Sequence, residues 1–210
     1  VDGLSGAVNT LIPVGGTDTY EISVVSFAST ASANVSNFLV DSVTDRSNLA
    51  TSIFNLGDGR SNDVYTGGLT NYAAAFTTMK NVLSNTIALA DSSYVNFATD
   101  GVPTLGGDGI AARNSLISAG VDNISIEGIG GGVNAGSLQS NFCYPQPCDT
   151  SAPYNFPTQG FYIGVADANE YVAAIKNKIR VVTGQVPEPS VLALFGLGLV
   201  GLGFFRRRTA

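Results

Sequence analysis

Histidine is absent from all 210 residues. That excludes Ser-His-Asp and Cys-His catalysis and zinc sites of the usual His-containing kinds, so any chemistry must rest on carboxylates, hydroxyls or a bound metal. Charge is sparse: 12% of residues are charged. Gly, Ser, Thr, Asn and Ala are plentiful instead, a mixture met in extracellular bacterial proteins more than in cytosolic enzymes. Basic groups are the scarcer sign. Of 10 Lys and Arg and 16 Asp and Glu, Arg206, Arg207, Arg208 and Glu188 fall in the last 25 residues, leaving 7 basic against 15 acidic groups in residues 1–185. A body with net charge −8 repels polyanions, which argues against nucleic acid as a partner. Cysteine is limited to Cys143 and Cys148, in Cys-Tyr-Pro-Gln-Pro-Cys. With no further ligands for a metal site nearby, the pair reads as a small disulfide loop in an oxidising compartment or as two free thiols. The length allows one sizeable core and leaves little room for a second.

Long apolar runs are also missing, with one exception. Val191 to Phe205 is continuously apolar or Gly, preceded by Val-Pro-Glu-Pro-Ser and followed by Arg206-Arg207-Arg208. As a helix it would span about 22 Å at ~1.5 Å per residue, short of the roughly 30 Å hydrocarbon core of a bilayer. Gly196, Gly198, Gly201 and Gly203 weaken that helix further. The segment suits a transient, processed membrane tail better than a permanent anchor, although an ordinary tail anchor is the alternative. The triple Arg would stay on the cytoplasmic face and put residues 1–185 on the outer side. The order of features resembles the PEP-CTERM signal, with Pro187-Glu188-Pro189 as its Pro-Glu-Pro. That resemblance implies an exosortase-type membrane protease as a partner and a destination in or beyond the envelope of a Gram-negative bacterium, after transient anchoring in the inner membrane. The chain therefore divides into residues 1–184, one domain, and residues 185–210, a sorting and membrane tail with a hydrophobic tail helix.

Strand-like runs occur at Glu21–Phe27, Val35–Val40, Tyr94–Thr99, Asn123–Ile129 and Gly160–Val165, most of them rich in β-branched or aromatic residues and each bounded by turn formers. Helical spacings of three and four lie at or between them: Gly3 to Ile12; Leu49, Ile53 and Leu56; Tyr72, Phe76, Met79 and Leu83; Ile110, Leu116 and Ile117; and Tyr171, Ile175, Ile179 and Val182. Asp167 and Glu170 read as an N-cap with a reciprocal carboxylate three residues on. Alternation of this kind predicts an α/β fold, Rossmann-like and doubly wound, with a mostly parallel sheet and helices on both faces. Ligands in such sheets bind beyond the carboxyl ends of the strands. Gly130 to Thr158 breaks the alternation and reads as a long surface loop carrying the two cysteines.

Two segments carry candidate chemistry. Tyr94-Val-Asn-Phe-Ala-Thr-Asp-Gly101 is a strand that delivers the Asp100 carboxylate to the sheet edge, and Tyr65-Thr-Gly-Gly-Leu-Thr-Asn-Tyr72 leads into a helix. Taken alone, Asp100-Gly101 also reads as a turn, and Thr70 or Asn71 as a helix cap. Together, a hydroxyl and a carboxylate are hard oxygen donors suited to Mg²⁺, Mn²⁺ or Ca²⁺. The segments resemble the von Willebrand factor type A (vWA) family: Ile22–Phe27 its second strand, Gly67-Gly-Leu-Thr-Asn71 its second metal motif, Phe97-Ala-Thr-Asp-Gly101 its third, and Ile126–Gly130 the following strand. The resemblance implies a metal ion-dependent adhesion site served by the Thr70 hydroxyl and the Asp100 carboxylate, and a protein or polysaccharide ligand carrying an acidic group.

The family's first motif, Asp-x-Ser-x-Ser, is missing. Asp2-Gly-Leu-Ser-Gly6 does not replace it, having Leu and Gly where the two Ser belong. The family's central first strand is therefore expected upstream of Val1, and a site of Thr70 and Asp100 alone is expected to bind weakly, with Mg²⁺ the first choice of ion. Gly128 to Val133 departs from Gly-x-Gly-x-x-Gly at its last position, which argues against a nucleotide loop. The reading is a non-enzymatic, metal-dependent binding module. Its rivals are a structural exopolysaccharide or biofilm matrix protein that has lost its metal site, and a metal-dependent hydrolase, for which no second carboxylate is evident near Asp100.

Overall fold

Parallel strands fed by capped helices dominate the architecture of the computed structural model, which describes residues 2–14, 18–57 and 68–184. In chain order the elements are α1 (Asp2–Leu11), β1 (Tyr20–Phe27), β2 (Ala31–Val40), α2 (Val43–Phe54), α3 (Tyr72–Leu83), β3 (Tyr94–Thr99), α4 (Ile110–Ser118), β4 (Asn123–Ile129), the short turn α5 (Ala135–Ser137), β5 (Tyr162–Val165) and α6 (Ala168–Val182). The predicted tail helix, Val1 and Tyr65 to Gly67 lie outside the described residues.

Side chains at the helix starts explain where the helices begin. Ser42 accepts from Asp45 N ahead of α2, and Asn71 accepts from Ala74 N ahead of α3. Asp167 accepts from the backbone of Asn169 and Glu170 ahead of α6, while Glu170 Oε2 accepts from Ala166 N at 2.8 Å, so the reciprocal cap reaches one residue further back than its usual form. Those two bonds hold the Asp167 carboxyl below its ordinary range.

The described strands form two sheets. β3, β4 and β5 are parallel in the order β3-β4-β5, and β1 and β2 form a separate antiparallel hairpin, tightened by a hydrogen bond from Ala28 N to Thr30 O at 2.8 Å. The parallel sheet matches the expected doubly wound pattern; the hairpin does not continue it among the described residues. β2 also starts four residues earlier than its apolar run, because Ala31 to Ala33 pair along β1, and Asn34 Oδ1 accepts from Ser26 N, although these residues are small or polar.

Parity along β3 and β4 sorts the two faces. Val95, Phe97, Ile124 and Ile126 point to α3 and α4, where Tyr72, Phe76, Leu116 and Phe142 complete one core. Asn96, Ser125 and Glu127 point the other way, under α6. A second core of Val8, Ile12, Val35, Val40, Leu49 and Ile53 joins the hairpin to α1 and α2.

The segment 130–158 is not the surface loop its composition suggested. Leu138 and Phe142 lie in a single π-helical stretch, Leu138–Phe142, and are buried with Cys143. Tyr144 bridges to Ile124 of β4 through two backbone hydrogen bonds of 2.8 and 2.9 Å. Cys143 and Cys148 are joined in a disulfide, with Cys143 fully buried instead of at the surface, because its neighbour Phe142 is drawn into the core and Tyr144 is tied to the sheet. Arg113 of α4 fastens the same stretch, donating to Phe142 O at 3.2 Å and to Cys143 O at 2.6 Å.

Candidate functional site

Strand β3 ends at Thr99 and releases Asp100, whose residue is exposed, at the carboxyl edge of the parallel sheet. The loop before α3 comes to the same place, held by backbone bonds. Thr70 N donates to Thr104 Oγ1 at 2.9 Å, and Thr70 O accepts from Thr104 N at 2.8 Å and Leu105 N at 3.1 Å. Ser29, in the hairpin turn, steadies the loop from the other side: its Oγ accepts from Leu69 N at 3.2 Å and its carbonyl from Asn71 Nδ2 at 3.1 Å. Asn71 is the cap of α3, so the cap reading applies to it and leaves the Thr70 hydroxyl for another role.

That hydroxyl stands beside the residue after Asp100. A Cβ added to Gly101 would lie 3.2 Å from Thr70 Oγ1, so glycine lets the two loops close on each other. Gly132 does the same from the loop after β4: its Cα passes against the Asp100 carbonyl, with no room for a side chain. Tyr72, buried beneath, donates its hydroxyl to Gly101 O and lies 3.3 Å from Thr99 Oγ1. Burial raises the Tyr72 phenol above its ordinary range, against the pull of the Thr99 hydrogen bond and with a further push from Asp100, so it remains a donor.

Thr70 and Asp100 are thus brought to one edge by separate loops. In kind they fit a hard cation: a neutral hydroxyl and an anionic carboxylate. In number they supply two donors of the roughly six such an ion takes. Among the described residues no group of three or more His, Cys, Asp or Glu gathers anywhere. The sequence pointed to Thr70 and Asp100; it did not point to Ser29, Thr104 and Tyr72, which hold them. Their hydroxyls act through backbone contacts that no local pattern announces.

No curated protein matches the chain. Solved structures do. Proximal thread matrix protein 1 from the mussel byssus, with a zinc-occupied MIDAS motif, superposes with a TM-score of 0.63 at 17% identity over 87% of this chain and 41% of its own. The manganese-loaded TRAP protein of Plasmodium vivax superposes with a TM-score of 0.51 at 23% identity, over 85% of this chain and 63% of its own. This chain spans about two-fifths of the byssal protein's length. The fold is the α/β fold of vWA-domain proteins. Residues 185–208 match the PEP-CTERM protein-sorting motif. The match takes in Pro187, Glu188, Pro189, Arg206, Arg207 and Arg208, all outside the described residues. It marks a secreted or envelope-associated protein and implies processing by an exosortase-type enzyme. No helix among the described residues is long and apolar enough to cross a membrane.

Proposed function

We propose that residues 1–184 form a non-enzymatic binding module, displayed in or beyond the envelope of a Gram-negative bacterium, that takes a divalent cation at Thr70 and Asp100. The convergence of the Thr70 hydroxyl on Asp100-Gly101 carries this reading. Thr70 would contribute its hydroxyl oxygen and Asp100 its carboxylate, directly or through water, and the positions left open on the ion would accept an acidic group of a protein or polysaccharide ligand. Mg²⁺ is the first choice because both donors are hard oxygens; Mn²⁺ and Ca²⁺ share that preference. The zinc-occupied and manganese-loaded neighbours support divalent cation binding in general, not Mg²⁺ in particular.

The test is a melting curve of the full-length protein. Ion at ten times its dissociation constant stabilises the native state by about 1.4 kcal/mol, a few degrees in melting temperature. Millimolar Mg²⁺ or Mn²⁺ should give that rise and a chelator should remove it. Asp100→Ala should lose the rise and Thr70→Ala part of it, while both variants fold, since both residues lie at the sheet edge. An unchanged rise in Asp100→Ala would overturn the assignment. No rise in the parent protein would favour a second reading, a structural matrix module without a metal, which the lack of any group of three or more His, Cys, Asp or Glu among the described residues supports.

The tail makes a separate prediction. Glu188→Ala, or deletion of Arg206 to Arg208, removes either the processing signal or the cationic stop. Fractionation with an antibody to the domain should then find unprocessed precursor in the inner membrane. Unchanged processing and export in both variants would count against the sorting assignment.

A further inference from the structure

Three polar side chains from distant parts of the sequence meet under α6. Asn96 comes from β3, Glu127 from β4 and Lys178 from α6, the first and last 82 residues apart. The strand register puts Asn96 opposite Ser125 and Ala98 opposite Glu127, so both side chains leave the same face of the sheet. Lys178 Nζ lies directly against Asn96 Oδ1 and 3.1 Å from Glu127 Oε1. The Lys178 and Glu127 side chains are 3% and 0% exposed. Ala174 and Ile175 are buried on the same helix, and Phe161 presents its ring 5.1 Å from Nζ. Asn96, by contrast, is an exposed residue.

As an ion pair this arrangement is poor. Burying a carboxylate and an ammonium costs several kcal/mol per ion unless further hydrogen bonds satisfy them, and neither Glu127 oxygen has a well-directed hydrogen bond. The site is better suited to neutral forms. Burial drives the Lys178 amine down to about 8 against the opposing pull of Glu127, and burial likewise raises the Glu127 carboxyl against the pull of Lys178 and Asn96. A desolvated, neutral lysine is a nucleophile, and the atom it touches belongs to a primary carboxamide.

We propose that Lys178 and Asn96 are joined by an intramolecular isopeptide bond, formed autocatalytically with Glu127 as the proton-transfer residue. The Nζ lone pair adds to Asn96 Cγ while the Glu127 acid hydrogen-bonds the developing oxyanion. The Glu127 acid then gives its proton to Nδ2 as it takes one from Nζ, and so ends the step protonated as it began. The Cγ–Nδ2 bond breaks and ammonia leaves through the exposed edge of β3. One amine and one primary amide become one secondary amide and one ammonia, and no oxidant, reductant or cofactor takes part. Folding supplies the proximity that makes the step feasible, since fixing the two groups in contact raises their effective concentration by orders of magnitude. The inference is independent of the metal site.

Mass spectrometry of the intact, reduced full-length chain tests it. The protein should be lighter than its sequence by one ammonia, about 17 Da, the leaving group of the aminolysis. Trypsin should fail to cut at Lys178 and should release residues 177–180 as a branch on residues 81–113. Asn96→Ala removes the acceptor from an exposed position, and Lys178→Ala removes the nucleophile; both should show their full sequence mass. Glu127→Gln should also show its full mass, and a deficit retained there would overturn the role of Glu127. Full sequence mass in the folded wild-type protein, or a deficit mapping to another Asn, would overturn the bond itself.

Discussion

Phe97→Ala should lower the stability of the domain by about 3–5 kcal/mol, the range for truncating a large buried aromatic side chain. Phe97 is 5% exposed and joins parts of the fold that share no strand pairing. Its ring stacks on Phe27 of β1 at 5.2 Å and on Phe76 of α3 at 4.7 Å, and meets Tyr72 edge-on at 4.9 Å. The described strands of the two sheets are not hydrogen-bonded to each other, so packing around α3, together with the Ser29 hydrogen bonds to Leu69 and Asn71, holds this end of the hairpin against the parallel sheet. Removing the ring therefore opens a cavity and also loosens that junction. A urea titration should show the midpoint falling sharply. Leu89→Ala, at a side chain 85% exposed, should stay within about 0.5 kcal/mol of the parent; equal, small effects of the two changes would contradict the packing described for Phe97.

Lys178→Met should be comparably damaging, and in a pH-dependent way. The change leaves the Glu127 carboxyl fully buried without the Lys178 nitrogen that lies 3.1 Å from it, and removing one partner of a buried polar pair costs about 3–5 kcal/mol near neutral pH, where the carboxyl would otherwise ionise. Burial holds the folded-state carboxyl above its unfolded value, and without Lys178 it rises further. The folded state then binds a proton that the unfolded state has released, so stability falls as pH rises above the ordinary glutamate range. The variant should thus be least impaired near pH 4–5 and progressively worse toward pH 8, the ordinary glutamate carboxyl titrating near 4.3. Adding Glu127→Leu should restore most of the loss and abolish that slope. A flat pH profile in the single variant would mean that water reaches the carboxylate.

Much of this fold was legible in the sequence, because most of its elements are long enough to show a period. β3 and β4 follow their predicted bounds and α3 its predicted apolar face, since alternating burial and a three-to-four spacing are properties of contiguous residues. The partition into two sheets was not legible, because it depends on which strands pair across the chain. The stretch around Cys143 misled for a related reason: Leu138 and Phe142 reach the core from one π-helical turn, and a single turn has no period to read. Thr70 and Asp100 stood out by resemblance to a family motif, while the loops that hold them are joined by backbone hydrogen bonds that leave no mark in composition. The Asn96–Glu127–Lys178 group left clues. Glu127 interrupts a strand in which every residue but the last is buried, and Lys178, seven residues after Tyr171, falls on the apolar stripe of α6.

The end of α6 also has a mechanical meaning. The helix stops at Val182 with Thr183 as its cap, and the sorting motif starts at residue 185. Any tension applied through residues 185–210 enters the domain at the C-terminal end of this helix. The load then reaches the sheet one helical turn further in, at Lys178, where β3 and β4 share it through Asn96 and Glu127. A tether attached at that point loads β3 and β4 together, two neighbouring strands of the parallel sheet, instead of the last turn of the helix alone.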